Sequence, residues 1–224
     1  CGQREGSRSM HGAATTGAAS RRGRRPADRG DTERTIRRAA LRRFADLGFD
    51  AAALRDIAAD AGVDPAMIAY RFGSKLSLWK AVVEAVGAGK IDMLRRTAAA
   101  KASAAASPLA ASMEALVDLY CANETVPRFL LRDAGHDPER AAWVFDHVSR
   151  PLLDHFLPLI RRANETGRIA TPVPEMFLLS FAYGVAVSVV RREMLASFAP
   201  QLANDNDFRA ALYATLIEPR LRHG

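Results

Sequence analysis

The sequence predicts an all-α protein: a three-helix domain near the N-terminus, followed by a larger helical domain. Three observations carry this. From about residue 32 onward, apolar residues recur at helical spacing, without the alternating runs between hairpin turns that mark strands. The stretch Leu54–Lys75, LRDIAADAGVDPAMIAYRFGSK, reads as two short helices joined by a tight turn. Pro65, Pro108, Pro138 and Pro174 open elements, while Gly48, Gly62, Gly135 and Gly167 close others.

Residues 1–30 are rich in Gly, Ala, Ser, Thr and Arg and show no periodicity, so a disordered basic arm is expected there. Arg21, Arg22, Arg24 and Arg25 either enter a minor groove beside a docked domain or add only non-specific attraction to phosphate. The chain opens on Cys1 rather than Met, which suggests a coding-frame artefact in its first residues. Charge is one-sided. Residues 1–30 hold seven Arg against Glu5 and Asp28, residues 31–80 nine basic and seven acidic groups, and residues 81–224 sixteen of each. The whole net charge of +7 therefore sits at the N-terminal end, as expected for a protein that meets a polyanion at one end.

The domain spanning residues 31–80 begins with a helix from Asp31 or Thr32. Its stripe of Ile36, Ala39, Ala40, Phe44 and Leu47 is closed by Gly48, and Phe44 and Phe49 are expected to cover Ile57, Ile68 and Phe72. Leu54, Ile57, Ala58 and Ala61 form the stripe of the second helix. Gly62 leaves that helix at positive φ, and Val63 plugs the turn. Asp64 caps the third helix, and Pro65 fits its first position. Ile68 and Phe72 face inward, which leaves Pro65, Ala66, Met67, Ala69, Tyr70 and Arg71 outward. Helix, glycine turn and short second helix is the helix-turn-helix arrangement, whose second helix enters the major groove of double-stranded DNA. Arg55, outward in the preceding helix, either forks onto a guanine or pairs with Asp56 or Asp60. The Tyr70 phenol suits a phosphate, Arg71 adds charge, and Ala66 and Met67 suit a thymine methyl. Ser74 caps the next helix, where the Lys75 ammonium and the first amides can hold one phosphate.

Ile36–Lys75, with Ala39-Ala40, Phe44, Gly48-Phe49, Ile57-Ala58, Ala61-Gly62-Val63, Ile68, Tyr70, Phe72 and Ser74-Lys75, resembles the DNA-binding domain of the tetracycline-repressor (TetR) family. The chain departs from the family pattern at Ala52 and Ala53, where a capping Thr or Ser is usual, and at Ala69, Arg71 and Gly73. The resemblance implies base or phosphate contacts at Arg55, Tyr70 and Lys75. It further implies a cytoplasmic homodimeric repressor that reads a palindromic operator and is released by an unknown small-molecule effector. It makes residues 81–224 a helical ligand-binding and dimerisation domain whose last two helices, Pro174–Phe198 and Asp205–Leu221, pair with their copies.

The helix after Ser74 carries Leu78, Trp79, Val82, Val83, Val86, Ile91 and Leu94, with a bend expected at Gly87 and Gly89. Further helices are expected over Pro108–Ala122, residues 126–134, residues 138–166 (kinked or split by Pro151 and Pro158), Pro174–Phe198 and Asp205–Leu221. Tyr120, Phe129, Trp143 and Phe156 supply candidate aromatic walls for a ligand pocket, and Arg132, His136, His147 and His155 candidate polar groups; each also fits as core or surface. His147, Asp154 and His155 lack i, i+4 ligand spacing, so no metal is expected, and no cofactor is implied. Cys1 and Cys121 make no disulfide framework and fit a reducing cytoplasm. The first thirty residues lack a signal peptide's apolar run, and the apolar run at residues 176–190 is too short to span a membrane. No phosphate loop, GxSxG, HExxH or CxxC is present, which argues against an enzyme. Two rivals remain: a non-specific DNA binder working through its Arg-rich arm, and a helical enzyme or carrier for a small molecule.

Overall fold

The computed structural model describes residues 26–105, 107–133 and 137–221; the Arg-rich residues 1–25, Gly135 and His136 lie outside the described residues. Among the described residues the secondary structure is entirely helical. Helix α1 (Pro26–Ala51) starts five residues earlier than the sequence suggested, on a proline whose missing N–H costs a first turn nothing. It breaks at Gly48, which takes φ 81° and ψ 171°, and a last short turn carries Phe49 back onto the core. Helices α2 (Leu54–Ala61) and α3 (Pro65–Phe72) follow, then the long α4 (Lys75–Lys101). The second part comprises α5 (Pro108–Ala122), α6 (Thr125–Asp133), α7 (Pro138–Val144), α8 (Arg150–Glu165), α9 (Pro174–Val190), α10 (Arg192–Phe198) and α11 (Asp205–Leu212).

Two apolar cores organise the molecule. The first joins Ile36, Phe44, Ile57, Ile68, Leu78, Trp79 and Val83, all at most 1% exposed. It does not stop near residue 80. Val86 of α4, Val126 and Phe129 of α6 and Val144 of α7 complete it. The second surrounds α5, with Leu94 of α4, Phe156 and Ile160 of α8, Phe181 and Val185 of α9, and Phe208 and Leu212 of α11. Helix α4 is common to both.

Several expectations about the later helices are corrected. The glycines of α4 make no break, since α4 runs unbroken from Lys75 to Lys101. Gly87 instead permits a crossing: a Cβ there would lie 1.9 Å from the backbone oxygen of His147, whereas one at Gly89 would meet nothing within 4 Å. His147 belongs to a wide π turn (Phe145–Ser149) joining α7 to α8, in which the Arg150 N–H reaches back five residues to the Phe145 carbonyl. That turn, with Pro151 in the first turn of α8, is how the chain accommodates the proline.

The stretch Pro174–Phe198 is not one helix; α9 and α10 meet at Arg191 with a bend of 74°. Arg192 holds α10 back against the next turn, donating to the carbonyls of Leu202 (2.9 Å) and Ala203 (2.7 Å) and pairing with Asp205 at 2.6 Å. No single helix among the described residues is long and apolar enough to cross a membrane. The stretch after Asp205 likewise ends its α-helix at Leu212, passing into a π turn (Tyr213–Ile217) and a 3-10 turn (Glu218–Arg220) around Pro219. The apolar faces of these last elements are largely internal: Leu178, Phe181, Val185, Val189, Phe208 and Leu212 are buried. Helix α9 leaves a different row uncovered, with Met176 at 63% exposure and Leu179, Tyr183 and Val187 each at 42–49%.

His155 of α8 bonds the buried Ser112 hydroxyl of α5 at 3.1 Å and stands edge-on to Phe156. Desolvation, and secondarily Arg95, hold its pKa below 6.5. A His whose folded pKa is depressed lends stability that is full above its unfolded pKa and is lost as pH falls through the folded one. Acidification below pH 6.5 should therefore lower the urea midpoint of the wild type more than that of His155→Gln. Gly87→Ala should cost about 1–3 kcal/mol of stability by forcing α4 off the π turn. Gly89→Ala, in contrast, should gain about 0.5–1 kcal/mol. Urea titration of both variants checks the pair.

Candidate nucleic-acid interface and the adjoining cavity

The α2–α3 joint is built by local chemistry. Gly62 adopts φ 65°, and the Val63 N–H closes back onto the Ala58 carbonyl at 3.0 Å, ending α2. The Asp64 carboxylate accepts the Ala66 N–H at 2.7 Å, and Pro65 occupies the first position of α3. Ala53 gives α2 no side-chain cap. Arg43 of α1 instead grips α2 through Asp60, with contacts of 2.5 and 2.9 Å that hold the Asp60 carboxyl below its usual range.

On α3, Pro65, Ala66, Ala69 and Tyr70 face outward, and Tyr70 is 81% exposed. Arg55 projects from α2 with its side chain 85% exposed and forms a surface pair with Asp56 at 3.3 Å. Met67 is half-buried against the core. Two expected outward groups are turned elsewhere. The Arg71 side chain is only 16% exposed, pairs with Glu33 of α1 at 3.2 Å and lies 5.8 Å from the Tyr70 ring centre. The Lys75 ammonium points back to the end of α1. It donates to the carbonyls of Asp50 (2.9 Å) and Ala52 (3.0 Å) and sits 4.7 Å from the centre of the Phe49 ring. A helix's terminal carbonyls are natural partners for a cation. The Arg140 guanidinium of α7 lies 4.4 Å from the centre of the same ring. Phe49 also stacks on Phe44 and meets Trp79 edge-on.

A cavity of about 80 Å³ lies in the second part of the molecule. Its walls come from α6 (Pro127, Leu130, Leu131), α8 and the π turn (Val148, Ser149, Leu152) and α9 (Leu179, Tyr183), with Tyr120 of α5. A second space of about 30 Å³ shares Tyr120, Leu130, Val148 and Leu152 and continues to Gly87, Lys90 and Ile91 of α4. Burial pushes the Tyr120 phenol up to about 12, so it stays neutral.

Of the described residues expected to form a pocket, only Tyr120 lines these spaces. Phe129 is fully buried in the first core, against Trp79. Arg132 donates to the Asp46 carbonyl of α1. Trp143 stacks on His147 at 4.3 Å, under the Lys80 ammonium. His147 turns Nδ1 to the Trp143 carbonyl, and Phe156 and His155 belong to the second core. Aromatic type alone pulled the expectation toward side chains that tie α6 and α7 to α1 and α4. The true lining is aliphatic and drawn from five distant segments.

Residues 36–82 match the profile of bacterial regulatory proteins of the tetR family. The N-terminal domain belongs to the TetR family. The whole chain has the fold of TetR-family structures. A TetR family transcription regulator from Marinobacter aquaeolei VT8 superposes with a TM-score of 0.64 at 21% identity, over 88% of this chain and all of that one. A structure from Shewanella sp. PV-4, assigned to the same family, gives 0.64 at 16% identity, over 86% and 99%. HlyIIR, a hemolysin II transcriptional regulator, gives 0.58 at 15% identity, over 85% and 99%. No curated protein sequence matches.

In this TetR-type domain, exposure separates two kinds of residue. Tyr70→Ala should leave the urea midpoint within about 0.5 kcal/mol of wild type. Lys75→Met, which strips two carbonyls of a charged donor, should cost about 1–2 kcal/mol. Equal stability of the two variants would contradict the inward role of Lys75.

Proposed function

We propose that this protein is a homodimeric transcriptional repressor that binds a palindromic operator and is released by a small molecule. The reading rests above all on the outward face of α3. Small residues and one aromatic stand there on a rigid three-helix core, in the TetR-type domain of a chain whose positive excess lies at that end. Tyr70 and Arg55 reach phosphate or base edges, and Pro65, Ala66 and Ala69 let the helix approach the groove floor. Arg71 and Lys75 act mainly by fixing α3 and α4 to α1.

A helix that reads one half-site needs a copy roughly 34–36 Å away for the next. The uncovered row Met176, Leu179, Tyr183 and Val187 on α9, continued by Met194 and Phe198 on α10, suits an isologous contact with a second chain. Two of its members, Leu179 and Tyr183, also line the cavity, so a partner would cover the cavity's mouth.

Ligand release has a physical route. The cavity is walled by α6 and the π turn, and both press on the DNA-binding core. Helix α6 does so through Val126, Phe129 and the Arg128–Asp46 pair at 3.3 Å, and the π turn through the His147 carbonyl at Gly87. A ligand that fits better when these walls move apart favours a different tilt of α4, and so a different spacing of the two α3 helices.

Selection of duplexes from a random pool by the full chain at physiological salt should enrich a palindrome, and Tyr70→Ala and Arg55→Ala should weaken that enrichment. Binding without sequence preference, abolished by moderate salt, would overturn the reading in favour of non-specific attraction through the Arg-rich N-terminus. Val187→Asp should yield monomers by sedimentation and lose high affinity for the full palindrome. Retained dimers would move the interface elsewhere.

A further inference from the structure

Lys90 stands out among the groups of α4. It is half-buried, lines both the smaller cavity and an open groove shared with Arg34, Arg37 and Arg38, and makes no hydrogen bond or ion pair with any described residue. It is also the one charged side chain among the described residues lining the larger or the smaller cavity, whose other walls are Leu, Val, Ile, Ala, Pro, Gly, Tyr and Ser. Desolvation alone lowers its pKa, with no anion close enough to offset it. An ammonium held against apolar walls without a counter-ion is costly, and a buried charge is normally paired. Tyr120 adds a second polar group. Its residue is 8% exposed, its phenol makes no hydrogen bond among the described residues, and it lines both spaces.

We infer that the cavity takes a carboxylic acid with an apolar body, its carboxylate paired with the Lys90 ammonium and its body in the larger aliphatic space. An anion supplies the charge that Lys90 lacks. The hydroxyl of Tyr120, a residue that lines both spaces, is a donor for the same head group. A cation is disfavoured by Lys90, and a neutral molecule leaves the ammonium unpaired. Lys90 lies three residues, less than one turn, from Gly87, where α4 meets the π turn. A carboxylate drawn to Lys90 therefore acts on the helix that links the cavity to the DNA-binding core. The inference deepens the ligand-released reading and rests on it for its regulatory meaning.

The test is calorimetric titration of the full chain with octanoate, octan-1-ol and octyltrimethylammonium, on the wild type, Lys90→Met and Lys90→Arg. The wild type should prefer octanoate over octanol by about tenfold or more, the scale of one charge-assisted hydrogen bond. Lys90→Met should abolish that preference by weakening octanoate while leaving octanol unchanged, and Lys90→Arg should keep most of it. Equal or tighter binding of the alcohol or the cation by the wild type would overturn the inference. So would a preference that survives in Lys90→Met, or failure of all three probes to bind. Operator affinity measured alongside separates the two readings. Release of DNA by a neutral or cationic compound would leave the ligand-released reading standing while this inference falls. An octanoate preference in a protein without sequence-specific DNA binding would do the reverse.

Discussion

Helix α4 is part of two apolar cores at once, and the crossing at Gly87 fixes how they sit against each other. Its first half buries Leu78, Trp79, Val82 and Val83 among α1–α3, and its second half buries Leu94 and Ala98 beside α5. Between them the helix backbone comes so close to the His147 carbonyl that only a glycine fits. A close-packed interior transmits displacement rather than absorbing it. Any change in the π turn is thus felt directly along α4, and through its Ser74 cap at the end of α3.

A second junction backs the first. Phe44, Phe49, Trp79 and Phe129 form a chain of ring contacts, with centroids 6.0–6.3 Å apart, running from α1 across α4 to α6. Two cations, Lys75 from the start of α4 and Arg140 from α7, lie against the ring of Phe49. Attraction between a cation and an aromatic face is strengthened when the pair is partly withdrawn from water. The Phe49 turn exists because Gly48 takes a positive φ, so one backbone angle delivers the ring at which α1, α4 and α7 converge. The first core therefore extends beyond α1–α4. Part of its wall is supplied by α6 and α7, which also bound the cavity.

Polar groups divide along the same lines. Side chains that look equivalent on a helix wheel end in different roles. Arg55 and Tyr70 remain in solvent, whereas Arg71 and Lys75 find partners on α1 that hold α3 and the start of α4 in place. Lys90 is the exception, a half-buried cation that lines an apolar cavity with no anion paired to it among the described residues.

Local physics made much of this protein legible from its sequence. The Gly62 turn, the Asp64 and Ser74 caps, Pro65 at the start of α3 and the inward stripe of Ile57 and Ile68 each depend on neighbours within one or two turns. So do the limits of α5 and the end of α1 proper at Gly48. Tertiary packing alone decided the rest. Gly87 reads as a helix interruption until the approaching carbonyl is seen. The break at Arg191 depends on carbonyls ten and eleven residues from the Arg192 that binds them. Which aromatics line a cavity depends on where α6, α8 and α9 meet, and there the rings of Phe129 and Trp143 are committed to joining the two parts of the molecule. Spacing along a chain fixes which face a residue shares with its neighbours; what that face meets is set by segments tens of residues away.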